Sequence, residues 1–427
     1  MKSFFCNKDR LRRRYISEWF FRFYCKASIF IVFVFLVFLL YSIVSKGIGV
    51  LWQTHISLPI EFSENIIDPK GQRFTDPSIL LHARYDLLAR IALMKKLNVL
   101  PVKDVFLMQM EDMLSRQVRS QLRKMVLSDP SLIGKTVVLP FLVSSNIDSA
   151  FKGYLDLSLP ESIRKISDHQ LKWFRKLISD KALSLRFNYG FFVNGSSSRP
   201  EMAGIGVAIV GSLYIILMVV GLSLPLGIAS AIYLEEFVSK KFFSSFIRAN
   251  INNLASVPSV VYGLLGSAVF ITFLKMPRST ALIGGLVLAL MTLPSIIIAT
   301  SVALKTVPSS IRSAALALGA SNFQTVCHHV LPLAMPGILT GSIVGLARAL
   351  GETAPLLFIG MVAFVADYPE SITDVTTALP VQIYLWSADA EKPFVEKTFG
   401  SILLLLIFLA FVNIVMLWLR NRFRKRW

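Results

Sequence analysis

Long apolar runs separated by polar stretches organise this chain. The first extends from Ala27 to Ser45 and is flanked by Lys26 and Lys46. A run of about 20 apolar residues is long enough to span the hydrocarbon core of a bilayer as a helix. The pattern therefore predicts an all-α integral membrane protein with six transmembrane helices, one N-terminal anchor and a core of five. The five core spans are predicted at Ile205–Leu234, Ala255–Leu274, Ala281–Val302, Pro336–Phe358 and Gly400–Leu419.

The first apolar run is predicted to stay attached to the protein. It is longer than the apolar segment of a typical signal peptide, and no small-x-small cleavage site follows it closely. We therefore interpret residues 1–26 as a basic cytoplasmic N-terminus and residues 27–45 as an uncleaved anchor.

Residues 46–200 have a different pattern, with short apolar stretches and charges throughout. This length is sufficient for an independent domain, and Gly195–Pro200 has the composition of a flexible boundary. We predict an inserted α+β periplasmic domain here, followed by a transmembrane domain over residues 201–420. Period-3.6 and short apolar patterns predict helices at Arg84–Leu97, Asp104–Val126 and Pro160–Leu183 and a strand at Thr136–Val143.

Composition agrees with a membrane protein. The 427 residues are 54% hydrophobic and 17% charged, with a mean hydropathy of +0.61. The net charge of +19 is concentrated beside apolar runs, where Lys and Arg mark cytoplasmic ends and contact headgroups, so we expect lipid contact and no nucleic acid. The basic clusters are Lys2, Lys8, Arg10, Arg12, Arg13, Arg14, Arg22 and Lys26 at the start, and Arg420, Arg422, Arg424, Lys425 and Arg426 at the end.

The distribution of Lys and Arg also predicts the topology. Basic residues fall in the loops after the second and fourth predicted spans, whereas the loop Ala366–Thr398 holds more acids than bases. The positive-inside rule then places both termini in the cytoplasm, including the basic tail at residues 421–427. We predict a multi-pass protein of the bacterial inner membrane.

Several chemistries have no recognisable motif in the sequence. There is no G-x-x-x-x-G-K-[ST] loop, H-E-x-x-H or G-x-S-x-G, so the chain is predicted not to be an enzyme and to use no cofactor. His328 and His329 are adjacent and would point about 100° apart on a helix, which disfavours a shared metal. The three cysteines, Cys6, Cys25 and Cys327, have no metal spacing and are predicted to stay reduced.

A pair of charged residues interrupts one predicted span. Arg348 and Glu352 are four residues apart and can pair on one helix face. Ionisable groups at membrane depth usually face a protein interior or a water-filled path, and a guanidinium suits an oxyanion. We hypothesise that Arg348, Glu352 and Thr353 line a substrate path, with Glu352 orienting Arg348. A purely structural ion pair is the alternative.

The segment Val307–Pro336 has the pattern of two short helices. Pro308 begins the first, Ser309 or Ser310 is placed to cap it, and Gly319 ends it. Apolar residues on this pair are expected to enter a hydrophobic groove on a partner. The predicted anchors are Leu316, Phe323 and Val326. An ordinary connector between two spans is the alternative.

Several segments together resemble the PstA family, the A-type permeases of phosphate-specific ABC importers, which have the type I importer fold. The most specific segments are Ala347–Leu357 and Leu379–Trp386; Pro225–Glu236, Asn253–Leu264 and Met291–Pro294 agree. Residues 305–336 resemble the EAA loop, the helix pair of such permeases that docks on the ATPase. The resemblance implies that Ser313, Ala314, Ala315, Leu316, Gly319, Ala320 and Phe323 couple to the ATPase.

The resemblance also implies partners. They are a C-type sister permease, a dimer of ATP-binding subunits and a periplasmic phosphate-binding protein. The chain departs from the family pattern in two places. Ser313 stands where the EAA motif has an acid, and the region between the first two spans is larger than the short loop of the common form. That region is open to two interpretations, a contact site for a partner or a packing element.

Other functions are open at this point. Arg348 suits any oxyanion, so a sulfate, molybdate or phosphonate permease is the nearest alternative. A membrane-anchored sensor would need a cytoplasmic output module, but the sequence ends soon after its last span. A secondary transporter would need no docking loop.

Overall fold

The computed structural model describes residues 8–69, 71, 73, 78–99, 104–238, 241–361, 364–389 and 391–423. Predictions for residues 1–7 and 424–427, at the outer ends of the two basic termini, lie outside the described residues. So does Lys240, one of the basic residues in the loop after the second predicted span. Helices dominate the fold, and a three-stranded sheet lies in the inserted domain.

The N-terminal anchor is one long helix. It is α1, Lys8–Gly47, and its 40 residues correspond to about 60 Å at 1.5 Å per residue. The predicted anchor at residues 27–45 lies inside it. Its apolar side chains between Ile29 and Leu40 are exposed on this chain, as expected for a helix that faces lipid. A short 3₁₀ turn, Ile48–Leu51, leads from it into the inserted domain.

The sheet of the inserted domain has β1 at its centre. The antiparallel order is β2–β1–β3, with β1 at Trp52–Glu61, β2 at Thr136–Leu142 and β3 at Leu183–Phe187. Leu58 pairs with Leu139 in the β1–β2 register. Ile56, Leu58 and Ile60 alternate along β1 and are all buried, because side chains two apart lie on one face of a strand.

Short helices pack around this sheet. They bury an apolar core that includes Phe62, Tyr85, Met113, Phe141 and Phe174. The domain therefore has a core of its own, separate from those of the transmembrane helices. These helices are α2 (Glu64–Ile67), α3 (Ile79–His82), α4 (Tyr85–Leu97), α5 (Asp104–Glu111), α6 (Gln117–Ser128), α7 (Ser145–Phe151), α8 (Asp168–Ser179) and α9 (Tyr189–Val193).

The prediction was confirmed for α4 and β2 and was wrong for two helices. The helix predicted at Asp104–Val126 is broken into α5 and α6, because Leu114 between them bridges to Val143 of the sheet region. The helix predicted at Pro160–Leu183 begins only at Asp168, where Ser167 and Gln170 form a capping box. Leu183 instead begins β3, which pairs with β1.

The membrane region confirms the predicted fold class. Among the described residues, five helices are long and apolar enough to cross a bilayer, and a bent helix pair raises the number to six. The remaining helices are α10 (Gly206–Ile232), α11 (Lys241–Ala255), α12 (Ser259–Gly266), α13 (Ala281–Lys305), α14 (Ser309–Ala317), α15 (Asn322–Thr325), α16 (Leu331–Gly351), α17 (Ala354–Phe358), α18 (Leu379–Ser387) and α19 (Lys392–Phe423).

Two predicted spans differ from the structure. The span placed at Ala255–Leu274 is a bent pair, because the chain turns by 95° between Phe242–Ala255 and Ser259–Phe273. Pro258, predicted inside a span, lies at this bend, where it precedes α12 with extended backbone angles. The span placed at Pro336–Phe358 runs instead over Asn322–Gly351, and α17 is a separate helix.

Helix α13 is the central element of the transmembrane core. It packs against α10 and α16 and is mostly buried. A Cβ on Gly341 of α16 would lie 2.3 Å from the Ala299 Cβ, and one on Gly285 of α13 would lie 2.7 Å from the Met218 Cβ of α10. Small residues let membrane helices approach closely in this way.

The inserted domain is joined to α19 by buried charges. Lys152 Nζ lies 2.9 Å from Asp148 Oδ2 and 3.0 Å from Glu396 Oε1 of α19. Asp148 also accepts hydrogen bonds from the Thr54 N–H and hydroxyl, at 2.8 and 2.7 Å. Burial opposes the charged form of Lys152, but Asp148 and Glu396 outweigh it and raise its pKa. Lys397, which follows Glu396 in α19, donates a hydrogen bond to the Ala203 carbonyl.

We expect Lys152→Met to destabilise the folded chain by about 3 kcal/mol, because it leaves two buried carboxylates without their cation. Thermal unfolding of the full chain in detergent measures this as a lower Tm. Lys172→Met, on an exposed residue of α8, is the control and should leave Tm unchanged. Equal Tm values for the two variants would show that the ion pairs contribute no net stability.

Candidate functional site

Helix α16 ends in the middle of the membrane region. It runs antiparallel to α13, so that a Cβ on Gly337 would approach Ala303, one on Gly341 Ala299, and one on Gly345 Ile296. One turn beyond Gly345, the last residues of α16 are therefore level with the middle of α13. The backbone leaves the helix at Glu352, which has extended angles, φ −78° and ψ 122°. Non-helical backbone at this depth is tolerated where it faces protein or a water-filled cavity.

Arg348 and Glu352 meet at this helix end. Arg348 Nε donates a 3.3 Å hydrogen bond to Glu352 Oε1, so the predicted pair forms. The two residues do not share a helix face as predicted, because Glu352 lies beyond the last helical residue. A cation in the last turn is favourably placed beside the open carbonyls of a helix C-terminus.

The Arg348 guanidinium is not covered by this chain. Its side chain is 53% exposed, against 21% for Glu352. Thr353 is half-buried and precedes α17, and its carbonyl accepts from Leu357 N. Within the described residues, only the Nε of Arg348 is used by a hydrogen bond, so its two terminal nitrogens remain available as donors. The terminal nitrogens can therefore donate to a further acceptor without breaking the ion pair.

A second group of charges lies at the far end of α10. Helix α10 begins next to the inserted domain and continues into a π-helical turn at Tyr233–Phe237, so this turn is remote from that domain. Glu235 lies 2.8 Å from Arg248 Nη2 of α11 and 3.4 Å from Lys305 Nζ of α13. These contacts connect the end of α10 to α11 and α13.

Arg312 connects the same turn to the loop that follows α13. Its Nε and Nη2 donate to the two carboxylate oxygens of Glu236, at 3.1 and 2.6 Å. It also donates to the backbone carbonyls of Val307 and Leu304. The hydrogen bonds to Glu236 outweigh partial burial and raise the pKa of Arg312. Two parallel charged hydrogen bonds fix orientation as well as distance.

The loop itself has the predicted two-helix form. Pro308 precedes α14 and Gly319 ends it with a φ of +86°, which favours glycine. The prediction that Ser309 or Ser310 caps α14 was wrong, because no side-chain cap is present there. A capping box of Ser321 and Gln324 instead begins α15.

Most of the predicted coupling residues form an exposed surface on this loop. Two of the predicted residues do not belong to this surface, since Ala315 is buried and Ala320 is half-buried. The exposed ones are Ser313, Ala314, Leu316, Gly319 and Phe323. Phe323 is 66% exposed. Val326, predicted as an anchor, is buried within the chain, and that prediction was wrong. The Ser313 hydroxyl donates to the Ser309 carbonyl.

Sequence reasoning missed several residues of this surface and its support. Leu318, at 89% exposure, is the most exposed large apolar residue of the loop. Glu236 and Arg312 form the link between the loop and α10, which was not predicted from the sequence. Two acids directly after an apolar span, with an arginine in the next loop on that side, were the available signal.

Two family matches divide the chain. Residues 223–427 match the family described as "binding-protein-dependent transport system inner membrane component". Residues 8–161 match a family described only as a domain of unknown function, DUF3333. The first match includes α16, the loop after α13 and most of the transmembrane core.

Curated relatives show which kind of transport permease this chain is similar to. The phosphate transport system permease protein PstA of Yersinia pestis is 33% identical over 218 residues, 51% of this chain and 72% of that protein. PstA 2 of Mycobacterium bovis is 34% identical, over 54% of this chain and 76% of that protein. This chain belongs to the PstA family of ABC-importer permeases. The probable ABC transporter permease YqgI of Bacillus subtilis is 32% identical over 40% of this chain, and the match spans 58% of that protein.

Among solved structures, this PstA-family chain is similar to the inward-facing MetNI methionine ABC transporter. The identity is 17% and the TM-score 0.41, over 52% of this chain and 95% of that one.

We expect Arg312→Ala to loosen the exposed loop of this PstA-family permease. Losing charged hydrogen bonds worth about 1.5–3 kcal/mol should speed amide exchange in Ser309–Ala317 by roughly 10- to 100-fold. Hydrogen–deuterium exchange of the full chain measures this. Ser313→Ala, which removes only a hydroxyl bonded within the helix, is the control. Unchanged exchange in Arg312→Ala would mean that packing alone holds the helix.

Proposed function

We propose that this chain is the membrane subunit of an ATP-driven phosphate importer and forms half of the translocation path. The observation that carries the proposal is the exposed Arg348 at the end of α16, in the middle of the membrane region. The names of the curated relatives, phosphate transport system permeases, support phosphate as the substrate.

Arg348 would contact phosphate transiently as it passes. Desolvated phosphate needs charged donors, and a guanidinium offers two nitrogens in a plane that match two oxygens. Glu352 would keep Arg348 oriented through its hydrogen bond to Nε and would lower the affinity for the anion by its own charge. A weak site suits transport, because an ion that binds too tightly does not leave. Thr353 lies beside this site as a further polar group.

The exposed loop would couple this path to ATP hydrolysis. The loop after α13 has an exposed apolar surface formed by Leu316, Leu318 and Phe323. Exposed apolar groups of this kind commonly mark contacts with a partner protein. ATP-driven closure of the partner would move α14 and α15. The paired hydrogen bonds from Arg312 to Glu236 would transmit that movement to α10.

The assembly would contain a C-type sister permease, two ATP-binding subunits and a periplasmic phosphate-binding protein. With both termini in the bacterial cytoplasm, the loop after α13 faces the ATP-binding subunits and the inserted domain faces the periplasm. ATP hydrolysis would take place on the partner subunits, so this chain would not itself be an enzyme.

We expect Arg348→Ala to reduce phosphate uptake at least tenfold, because a charged contact to the desolvated anion is lost. Labelled-phosphate uptake is measured in cells that co-express the sister permease, the ATP-binding subunit and the binding protein. Arg278→Ala, an exposed arginine away from this site, is the matched control, and co-purification of the complex checks assembly.

Two further arms identify the substrate and the energy source. Excess sulfate should not compete, and an ATPase-inactive partner should abolish uptake. Preferential uptake of sulfate, molybdate or phosphonate would replace phosphate by another oxyanion. Uptake that survives the inactive ATPase would indicate a secondary transporter, and full uptake by an assembled Arg348→Ala complex would remove Arg348 from the path.

We expect Leu318→Glu with Phe323→Glu to weaken binding of the ATP-binding subunit by 10-fold or more, since each places a charge in an apolar contact. Co-purification with the ATP-binding subunit measures this. Leu81→Glu with Leu127→Glu, at two exposed leucines of the inserted domain, is the matched control and should not weaken docking. Undiminished docking of the Leu318→Glu, Phe323→Glu variant would place the ATPase elsewhere.

A further inference from the structure

A cavity of about 270 Å³ lies between the inserted domain and two transmembrane helices. The end of α1 and the beginning of α19 form one side of it, and the segment from α7 to the start of α8 forms the other. Its lining includes Lys46, Tyr154, Leu155, Lys165, Lys392 and Phe399. This cavity is far from the exposed loop that follows α13.

The cavity lies at the boundary of the membrane. Lys46 is the first charged residue after the long apolar run of α1, and the apolar run of α19 begins only after Lys397. The two helices meet at this level, because a Cβ on Gly47 would lie 2.8 Å from the Phe399 carbonyl carbon. Lysines at such positions lie at the depth of lipid headgroups.

The cavity carries uncompensated positive charge. Lys46, Lys165 and Lys392 make no ion pair within the described residues, and all three are exposed. Glu396 also lines the cavity, but its carboxylate is already paired with the buried Lys152. The Lys46 ammonium lies 5.1 Å from the centre of the Phe399 ring, and it makes no ion pair within the described residues.

The inner surface of the cavity is mainly apolar. Leu155, Pro393, Val395 and Phe399 contribute carbon surface beside the lysines, and the side chain of Val395 is 45% exposed. Free inorganic phosphate would gain nothing from such a surface. A molecule with an anionic head and an apolar body would use both parts.

We propose that this cavity binds an anionic phospholipid, with its phosphate among Lys46, Lys165 and Lys392 and its glycerol and upper acyl region against Val395 and Phe399. The bound lipid bridges the inserted domain to α1 and α19, next to the contact between Lys152 and Glu396. This gives the inserted domain a role in lipid recognition that does not depend on which anion the permease transports.

The test is the lipid that stays bound to the full chain after purification in mild detergent. Mass spectrometry quantifies phosphatidylglycerol, cardiolipin and phosphatidylethanolamine per protein. We expect anionic lipid to be enriched over phosphatidylethanolamine, and the triple variant Lys46→Gln, Lys165→Gln and Lys392→Gln to reduce that enrichment roughly tenfold or more. The control, Lys124→Gln, Lys172→Gln and Arg175→Gln, removes three exposed charges elsewhere in the domain and should retain the lipid.

A second variant tests the apolar surface. Val395→Glu keeps all three lysines and should also reduce anionic lipid, because it places a carboxylate against the acyl region. Excess inorganic phosphate at constant ionic strength should not displace the lipid. Equal lipid in the triple variant and its control would overturn the proposal. Displacement by inorganic phosphate would overturn it as well, and would assign the cavity to the free anion.

Discussion

Charges that enter an apolar environment need partners, and this requirement shapes the protein at three levels of the membrane. Lys152 joins Asp148 and Glu396 where the inserted domain meets α19. Arg348 and Glu352 pair in the middle. Arg312 and Glu236 pair at the opposite end. Each pair connects elements that are far apart in sequence or lie on either side of a helix break, so the same physical cost places all three.

The basic side chains of the three pairs differ in how far the chain covers them and in how many of their donors are used. Lys152 is enclosed by two carboxylates and is 8% exposed, which suits a permanent connection. Arg312 is held by Glu236 and two backbone carbonyls, which suits transmission of movement. Arg348 uses one nitrogen and remains largely uncovered. This exposure suits the proposed contact with a passing anion.

Several features were accessible from sequence because they depend on local chemistry. Apolar run length identifies spans regardless of packing, and a glycine after a short helix identifies its end, as at Gly319. Helix α4 followed from its spacing. The missed strands β1 and β3 depend on pairing with distant residues, and Leu183 was placed in a helix because its partner Ile56 is remote in sequence.

The sequence by itself determined the membrane class, the approximate spans, the exposed loop and the nearness of Arg348 to Glu352, because run length, periodicity and a separation of four residues are properties of neighbouring residues. Only the tertiary structure decided that α16 stops in the middle of the membrane, that the span before α13 bends by 95°, and that Arg312 binds Glu236. Those features arise from packing against α13 and from pairing between separate helices, so the spacing of residues within one segment does not predict them.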